Sequence, residues 1–116
     1  MANGVQYMEL QNGQEIFREG EMGSSAYIVQ SGGVKITKKI NDEKKHLATL
    51  GQGEIFGEMA LIDSTARMAS AEAAGEATVI VVTKEMFEQK LSKADPFLRA
   101  ILKIMAEQIR DQAKNG

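Results

Sequence analysis

The sequence predicts a mainly β fold with C-terminal α-helices, and two observations lead to this class. Between residues 5 and 83, short segments of strand-type residues are separated by glycine-containing turns at regular spacing, which is typical of a sandwich or barrel. After Thr83 the apolar residues recur at helical spacing instead. We expect a β-roll over about residues 5–83 and helices over about residues 84–113, within one domain spanning residues 1–116.

Each strand segment is brief and has its own boundary signal. The predicted segments are residues 15–17, 26–29, 34–37, 46–50, 68–73 and 77–83. Glycine-containing turns are predicted at residues 19–23, 31–33, 51–53 and 75–76, and a charged hairpin tip at residues 41–45. Residues 34–37 alternate apolar and polar side chains, as a half-buried strand does.

Two helices are predicted after the last strand. Thr83 is an N-cap for a helix over about residues 84–93. Asp95 followed by Pro96 marks a second start. One face of the second helix is apolar, which we expect to be mainly a packing face. This apolar stripe comprises Phe97, Leu98, Ile101, Leu102, Ile104, Met105 and Ile109.

Composition excludes several function classes. The chain has 116 residues, 43% of them hydrophobic, which is enough for a core. Its net charge of -2 argues against nucleic-acid binding. The absence of cysteine and the single His46 exclude a thiolate zinc site and a metal cage of several histidines. With no segment long enough to span a bilayer and no signal-peptide pattern, we expect a cytoplasmic protein.

Residues 56–70 carry the most information about function. Gly57 begins a turn, Glu58 supplies a carboxylate, a short apolar helical piece follows, and Arg67 adds a cation. A helix N-terminus offers free N–H groups to a phosphate, and arginine adds a forked, charged donor for the same oxygens. Because a carboxylate cannot face a phosphate, Glu58 must face another part of the ligand, most simply a hydroxyl pair. A phosphate together with a ribose predicts a nucleotide.

Two segments together resemble the cyclic nucleotide-binding domain family. In one, Phe-Gly-Glu at residues 56–58 precedes an aliphatic residue, alanine and leucine, and Arg67 lies nine residues after Glu58. In the other, residues 20–34 contain two glycines, a tyrosine, an aliphatic residue, a glycine and a valine in the family's order. The resemblance covers about residues 13–110. It implies an eight-stranded antiparallel β jelly roll with flanking helices and a short phosphate-binding-cassette helix.

The resemblance also implies site roles. Arg67 would pair with the cyclic phosphate, helped by the backbone N–H groups of Ala60 and Met68. Glu58 would accept from the ribose 2′-hydroxyl, helped by the Gly57 backbone. Members selective for cyclic GMP often have threonine directly after the arginine, so Met68 favours cyclic AMP. The candidate ligand-binding residues are Phe56, Gly57, Glu58, Met59, Ala60, Arg67, Met68 and Ala69. No catalytic residue, metal or cofactor is expected, so the implied function is that of a sensor and not of an enzyme.

Two uses of such a fold stay open. In the first, the ligand favours one position of the helices after Thr83, and the helix from Pro96 passes the change to an effector domain or a second copy. Leu98, Ile101 and Leu102 of its apolar stripe could then close over the purine, and Arg99 could stack on the base. In the second, the pocket is degenerate and the fold is a protein docking or dimerisation module. A β-roll enzyme such as a cupin would need several histidines around a metal.

Overall fold

The strand-type segments form one antiparallel sheet. The computed structural model describes residues 5–61 and 66–115. The strands in these residues are β1 Gln6–Leu10, β2 Glu15–Phe17, β3 Ser25–Ile40, β4 Glu43–Leu50, β5 Ile55–Phe56 and β6 Ser70–Thr83. The strand order is β1-β6-β3-β4, with β2 paired to β6 and β5 paired to β3.

Strands β3 and β6 form the frame of the sheet and bend together. Their antiparallel register shifts between Val29 and Gly33, opposite residues 75–77. Gly32 and Gly75 both have a φ of 78° there, a left-handed conformation that glycine adopts without steric cost. At this bulge each strand changes its other neighbour: β3 passes from β5 to β4, and β6 passes from β2 to β1. The single sheet is thereby divided into two halves.

The core shows that the two halves face each other. Val29 pairs with Val79 on one half of the sheet, and Val34 pairs with Ala73 on the other. All four side chains belong to one buried cluster. Val29, Val34 and Val79 are the largest side chains that are fully buried. Their contact across the interior closes the bent sheet into a roll.

Helices follow the last strand directly. They are α1 Lys84–Ser92 and α2 Pro96–Asn115, and a 3₁₀ helix at Glu58–Leu61, here called the cassette helix, precedes β6. The Thr83 hydroxyl accepts from the Met86 N–H at 3.0 Å, and the Asp95 carboxylate accepts from the Phe97 N–H at 2.8 Å. Both predicted N-caps are therefore confirmed. Neither described α-helix is at once long enough and apolar enough to cross a membrane.

The number of strands corrects one prediction. The family resemblance implies an eight-stranded roll, and the described residues form an antiparallel roll of six strands, because the predicted turns at residues 31–33 and 75–76 are bulges inside continuous strands. A glycine with positive φ suits a bulge as well as a turn, so the pattern alone does not separate the two. The hairpin tip is also shorter than expected, since Asn41 and Asp42 alone form the left-handed turn.

The apolar stripe of α2 corrects a second prediction. We expected a packing face, but most of its described side chains are exposed, with Phe97 at 74% and Ile104 at 54%. Leu102 is half-buried, and the side chain of Ile109 lies outside the described residues. Helical spacing identifies an apolar face but does not identify what covers it.

Replacing the glycine at the bulge should destabilise the fold more than replacing a glycine in an open turn. A Cβ at Gly32 would overlap the Glu76 carbonyl oxygen and lie 2.8 Å from the Ala77 Cα, and neither backbone atom can move cheaply. Gly13 has a similar φ of 82° but no atom within 4 Å of such a Cβ. In urea unfolding, we expect Gly13→Ala to cost about 1 kcal/mol and Gly32→Ala about 2 kcal/mol more. Equal losses would contradict the steric account.

Candidate functional site

The candidate site is a cavity of about 330 Å³ beside the cassette helix. It is lined by residues of β2, β3, β4 and β5, by the cassette helix and by residues 66–69. All eight candidate residues lie in its wall, while residues 62–65 of the segment singled out from the sequence lie outside the described residues. The wall also contains Phe17, Ile36, Leu50, Ile55 and Ala66.

The backbone of Arg67 is fixed by the turn between β2 and β3. Its N–H donates to the Glu21 carbonyl at 2.8 Å, and its carbonyl accepts from the Gly20 N–H at 2.8 Å. Met22 forms a bridge with Ala66 beside this pair. The two segments that carry the family resemblance therefore meet in space, and the turn at residues 20–22 holds the backbone of Arg67 in place.

The side chain of Arg67 is buried and forms no ion pair with an acidic side chain of the residues that the structure describes. It is 9% exposed, its Nη2 donates to the Ser25 carbonyl at 2.8 Å, and its Nη1 donates to the Gly57 carbonyl at 3.3 Å. Within the described part of the chain, its buried Nε has no acceptor and every ion pair involves another cation. Burial lowers the pKa of Arg67, and the charge of Glu21 opposes this in part. The result is a desolvated cation that no carboxylate of residues 5–61 or 66–115 is seen to neutralise.

Two glycines provide the space for this guanidinium group. A Cβ at Gly23 would overlap the Arg67 guanidinium atoms, and a Cβ at Gly57 would lie 2.9 Å from its Nη1. Gly57 has in addition a φ of 73°. We expected Gly57 to allow close approach of the ligand, and in the structure it allows close approach of Arg67. The sequence predicts Gly23 only as a turn residue. Its contact with Arg67 joins distant parts of the chain, and no local pattern indicates such a contact.

Aromatic rings form the floor under Arg67. Its Cζ lies 4.1 Å from the centroid of the Phe17 ring and 6.0 Å from that of Tyr27. Phe17 lies 6.0 Å from both Tyr27 and Phe56, and Tyr27 stacks on Phe56 at 5.4 Å. The sequence places Phe17 in a strand but gives no sign of its contact with Arg67.

The other residues with a predicted role differ in exposure and in the hydrogen bonds that they already form. Glu58 is half-buried in the cavity wall, and among the described residues its carboxylate has no hydrogen-bond partner. The Ala60 N–H donates to the Gly57 carbonyl at 3.2 Å, so a phosphate would have to replace that acceptor. The Met68 side chain is 54% exposed, and its carbonyl accepts from Lys38 Nζ at 2.8 Å. The roles of all three cassette residues stay predictions.

The arrangement fits a ligand with three kinds of chemistry. The buried guanidinium group of Arg67 favours an anionic oxygen, and the Glu58 carboxylate favours a hydroxyl donor. Most of the remaining wall is apolar and suits a flat or aliphatic group. Among the described residues, no group of three or more histidine, cysteine, aspartate or glutamate side chains could hold a metal ion.

Comparison with known proteins identifies the family. A model described as "Cyclic nucleotide-binding domain" matches residues 7–94. The chain is 30% identical over 100 residues to "Cyclic AMP receptor protein" of Thermus thermophilus, covering 85% of this chain and 46% of that protein. It is 34% identical over 113 residues to "cGMP-dependent protein kinase 2" of Mus musculus, covering 95% of this chain and 15% of that protein. The chain thus spans half or less of the length of these relatives.

A solved structure agrees with this match. The halfsite-occupied form of EAL enzyme Bd1971 superposes with a TM-score of 0.87 and 35% sequence identity, covering 95% of this chain and 99% of that chain. The likeness therefore extends through the roll and its C-terminal helices. The match to the family model, these relatives and this superposition show that the chain belongs to the cyclic nucleotide-binding domain family.

Proposed function

We propose that this chain is a sensor that binds a cyclic nucleotide in the cavity beside Arg67. The observation that carries the proposal is the buried guanidinium group, which no carboxylate of the described residues neutralises. A desolvated cation without a counter-ion is costly, and an anionic ligand group offsets that cost. Membership in the family supports a cyclic phosphate as this group.

The rest of the cavity supports a nucleoside attached to the phosphate. Glu58 would accept from the ribose 2′-hydroxyl, and the apolar wall formed by residues such as Ile36 and Leu50 would contact the purine. The volume of about 330 Å³ falls within the range of about 300–1,000 Å³ that small-molecule pockets occupy. Cyclic AMP is the proposed preferred ligand, because Met68 offers no hydroxyl to the amino group of guanine.

The proposed signal passes from the cassette helix to α1 and α2. Leu61 at the end of the cassette helix lines a second groove together with Phe87 and Leu91 of α1 and Leu102 of α2. A ligand that moves the cassette helix would favour one helix position over another, provided that its affinity for the two arrangements differs. We propose that α2 conveys this change to an effector domain or to a second copy of the chain. In this proposal the protein does not alter the ligand chemically, and it acts in the cytoplasm.

A second candidate function is a docking or dimerisation module with no nucleotide. The exposed apolar side chains of α2, among them Phe97 and Ile104, favour it because they need a covering surface. Arg67 weighs against it: a buried cation that pairs with no described carboxylate destabilises a fold that binds no anionic ligand. Nucleotide titration separates the two.

Removing the Arg67 cation should abolish most of the nucleotide affinity. In calorimetric titrations of cyclic AMP and cyclic GMP, we expect the wild-type protein to bind cyclic AMP more tightly. Arg67→Met should lose about 2–5 kcal/mol of binding free energy, and Arg67→Lys, which keeps the charge without the planar fork, should lose less. The absence of binding to either nucleotide by the wild-type protein would overturn the proposed function in favour of the docking module.

The same Arg67→Met substitution should leave the ligand-free protein as stable as before, or more stable. Methionine fills a similar volume and removes a desolvated charge, and such replacements are often neutral or stabilising. We expect the free energy of unfolding in urea to stay equal or to rise by up to about 2 kcal/mol. Arg18→Met is the matched control, because Arg18 is an exposed arginine that contacts Glu15 at the surface. A loss above about 1 kcal/mol at Arg67 alone would assign it a structural role.

The Glu58 carboxylate should act through the ribose 2′-hydroxyl alone. Glu58→Ala should weaken cyclic AMP binding by about 1–3 kcal/mol, the range for one strong hydrogen bond. It should leave the affinity for 2′-deoxy cyclic AMP unchanged, because that ligand lacks the hydroxyl. Glu76→Ala, at an exposed position outside the cavity wall, is the control and should change neither affinity. Equal losses for the two ligands would contradict the ribose contact.

A further inference from the structure

The contact between Arg67 and Phe17 is the least expected feature of the site. The guanidinium Cζ lies over the Phe17 ring, 4.1 Å from its centroid. A cation in this position is attracted by the negative face of the ring, with about 0.5 kcal/mol at exposed sites and about 2 kcal/mol or more when desolvated. Arg67 is 9% exposed, so its contact belongs to the stronger, desolvated class.

We propose that Phe17 is a positioning residue that holds the Arg67 guanidinium group in the cavity by its ring face while leaving the positive charge available to an anionic ligand. The inference rests on the proposed function, since the ligand in question is the cyclic phosphate. Phe17 itself need not touch the phosphate. It acts through Arg67, by fixing where the charge stands before the ligand arrives.

A ring suits this task better than a carboxylate would. Charged side chains are rarely buried unless they are paired, and a carboxylate is the usual partner. A carboxylate beside Arg67 would neutralise its charge and occupy the N–H groups that an anionic ligand needs. The Phe17 ring carries no net charge, and the guanidinium group has more N–H donors than its contacts with Ser25 and Gly57 use. Its Nε, buried and without an acceptor among the described residues, is one such donor.

The ring is itself held in place from three sides. Phe17 pairs with Ala71 of β6, so its backbone is fixed in the sheet. Tyr27 and Phe56 each lie 6.0 Å from its centroid. A Cβ at Gly57 would lie 3.3 Å from the Phe17 ring, so the glycine gives room to the ring as well as to the guanidinium group. A platform fixed before binding lowers the ordering cost that the ligand would otherwise have to offset.

Removing the ring while keeping an apolar side chain tests the proposal by titration. Phe17→Leu should weaken cyclic AMP binding about 3- to 30-fold, where the upper value is the equivalent of losing the whole desolvated cation–π contact. Phe17→Tyr, which keeps the ring face, should bind as the wild type does. Tyr7→Leu, an aromatic-to-leucine change at an exposed position on β1, is the matched control and should also bind as the wild type. Circular dichroism checks that each variant is folded, and Phe17→Ile replaces Phe17→Leu if the leucine variant does not fold.

A second measurement without nucleotide separates positioning from simple packing. Phe17→Leu should lower the Tm of the wild-type protein by more than it lowers the Tm of the Arg67→Met protein, because only the former has a cation for the ring to hold. A ring that serves packing alone would give equal shifts in the two backgrounds.

The outcomes distinguish this inference from the proposed function. Wild-type binding that Phe17→Leu leaves unchanged, or equal Tm shifts in both backgrounds, would overturn the positioning role and leave the sensor function intact. A wild-type protein that binds neither cyclic AMP nor cyclic GMP would overturn both. Weakened binding by Phe17→Leu alone, together with unequal Tm shifts, would establish the role.

Discussion

The buried cation of Arg67 is the constraint around which this end of the molecule is organised. A guanidinium group that is removed from water, and that pairs with no carboxylate in the described part of the chain, must be compensated by weaker contacts from several directions. Two backbone carbonyls and one aromatic face supply these contacts, and two glycines leave the space that the group occupies. These groups come from β2, the turn after it, the start of β3 and the residue before the cassette helix. Most of the roll therefore has to be in place before the charge can be held.

The bend in β3 and β6 is what brings those contributors together. Because each strand changes its neighbour at the bulge, the short strands β2 and β5 pair with opposite ends of the frame, and the bend brings them face to face beside the cavity. Phe17 at the end of β2 and Phe56 at the end of β5 then meet with Tyr27 of β3 in one aromatic cluster. A flat sheet of the same strands would not enclose a cavity. The glycines at the bulge thus affect the site although they do not line it.

Sequence reasoning succeeded where the signal was local and failed where it was not. The change from strand to helix at Thr83, both N-caps and the gathering of the cassette residues around one cavity follow from neighbours within a few positions. The contacts of Phe17 and Gly23 with Arg67 join residues far apart in the chain, and no spacing encodes them. The bulge at Gly32 was predicted as a turn because both need a positive φ. The exposure of Phe97 was missed because an amphipathic pattern does not name its partner.

The hydrogen bonds of the cassette give the proposed sensor a physical means of responding. The Gly57 carbonyl accepts from both the Ala60 N–H and Arg67 Nη1, so the start of the cassette helix and the cation share one neutral acceptor. A phosphate oxygen is a charged and stronger acceptor, and it would compete with that carbonyl for both donors. Binding would then alter the turn at Gly57 that sets the direction of the cassette helix. Since Leu61 at the other end of this helix lines a groove with Phe87, a change at the phosphate would reach α1 through a single short element.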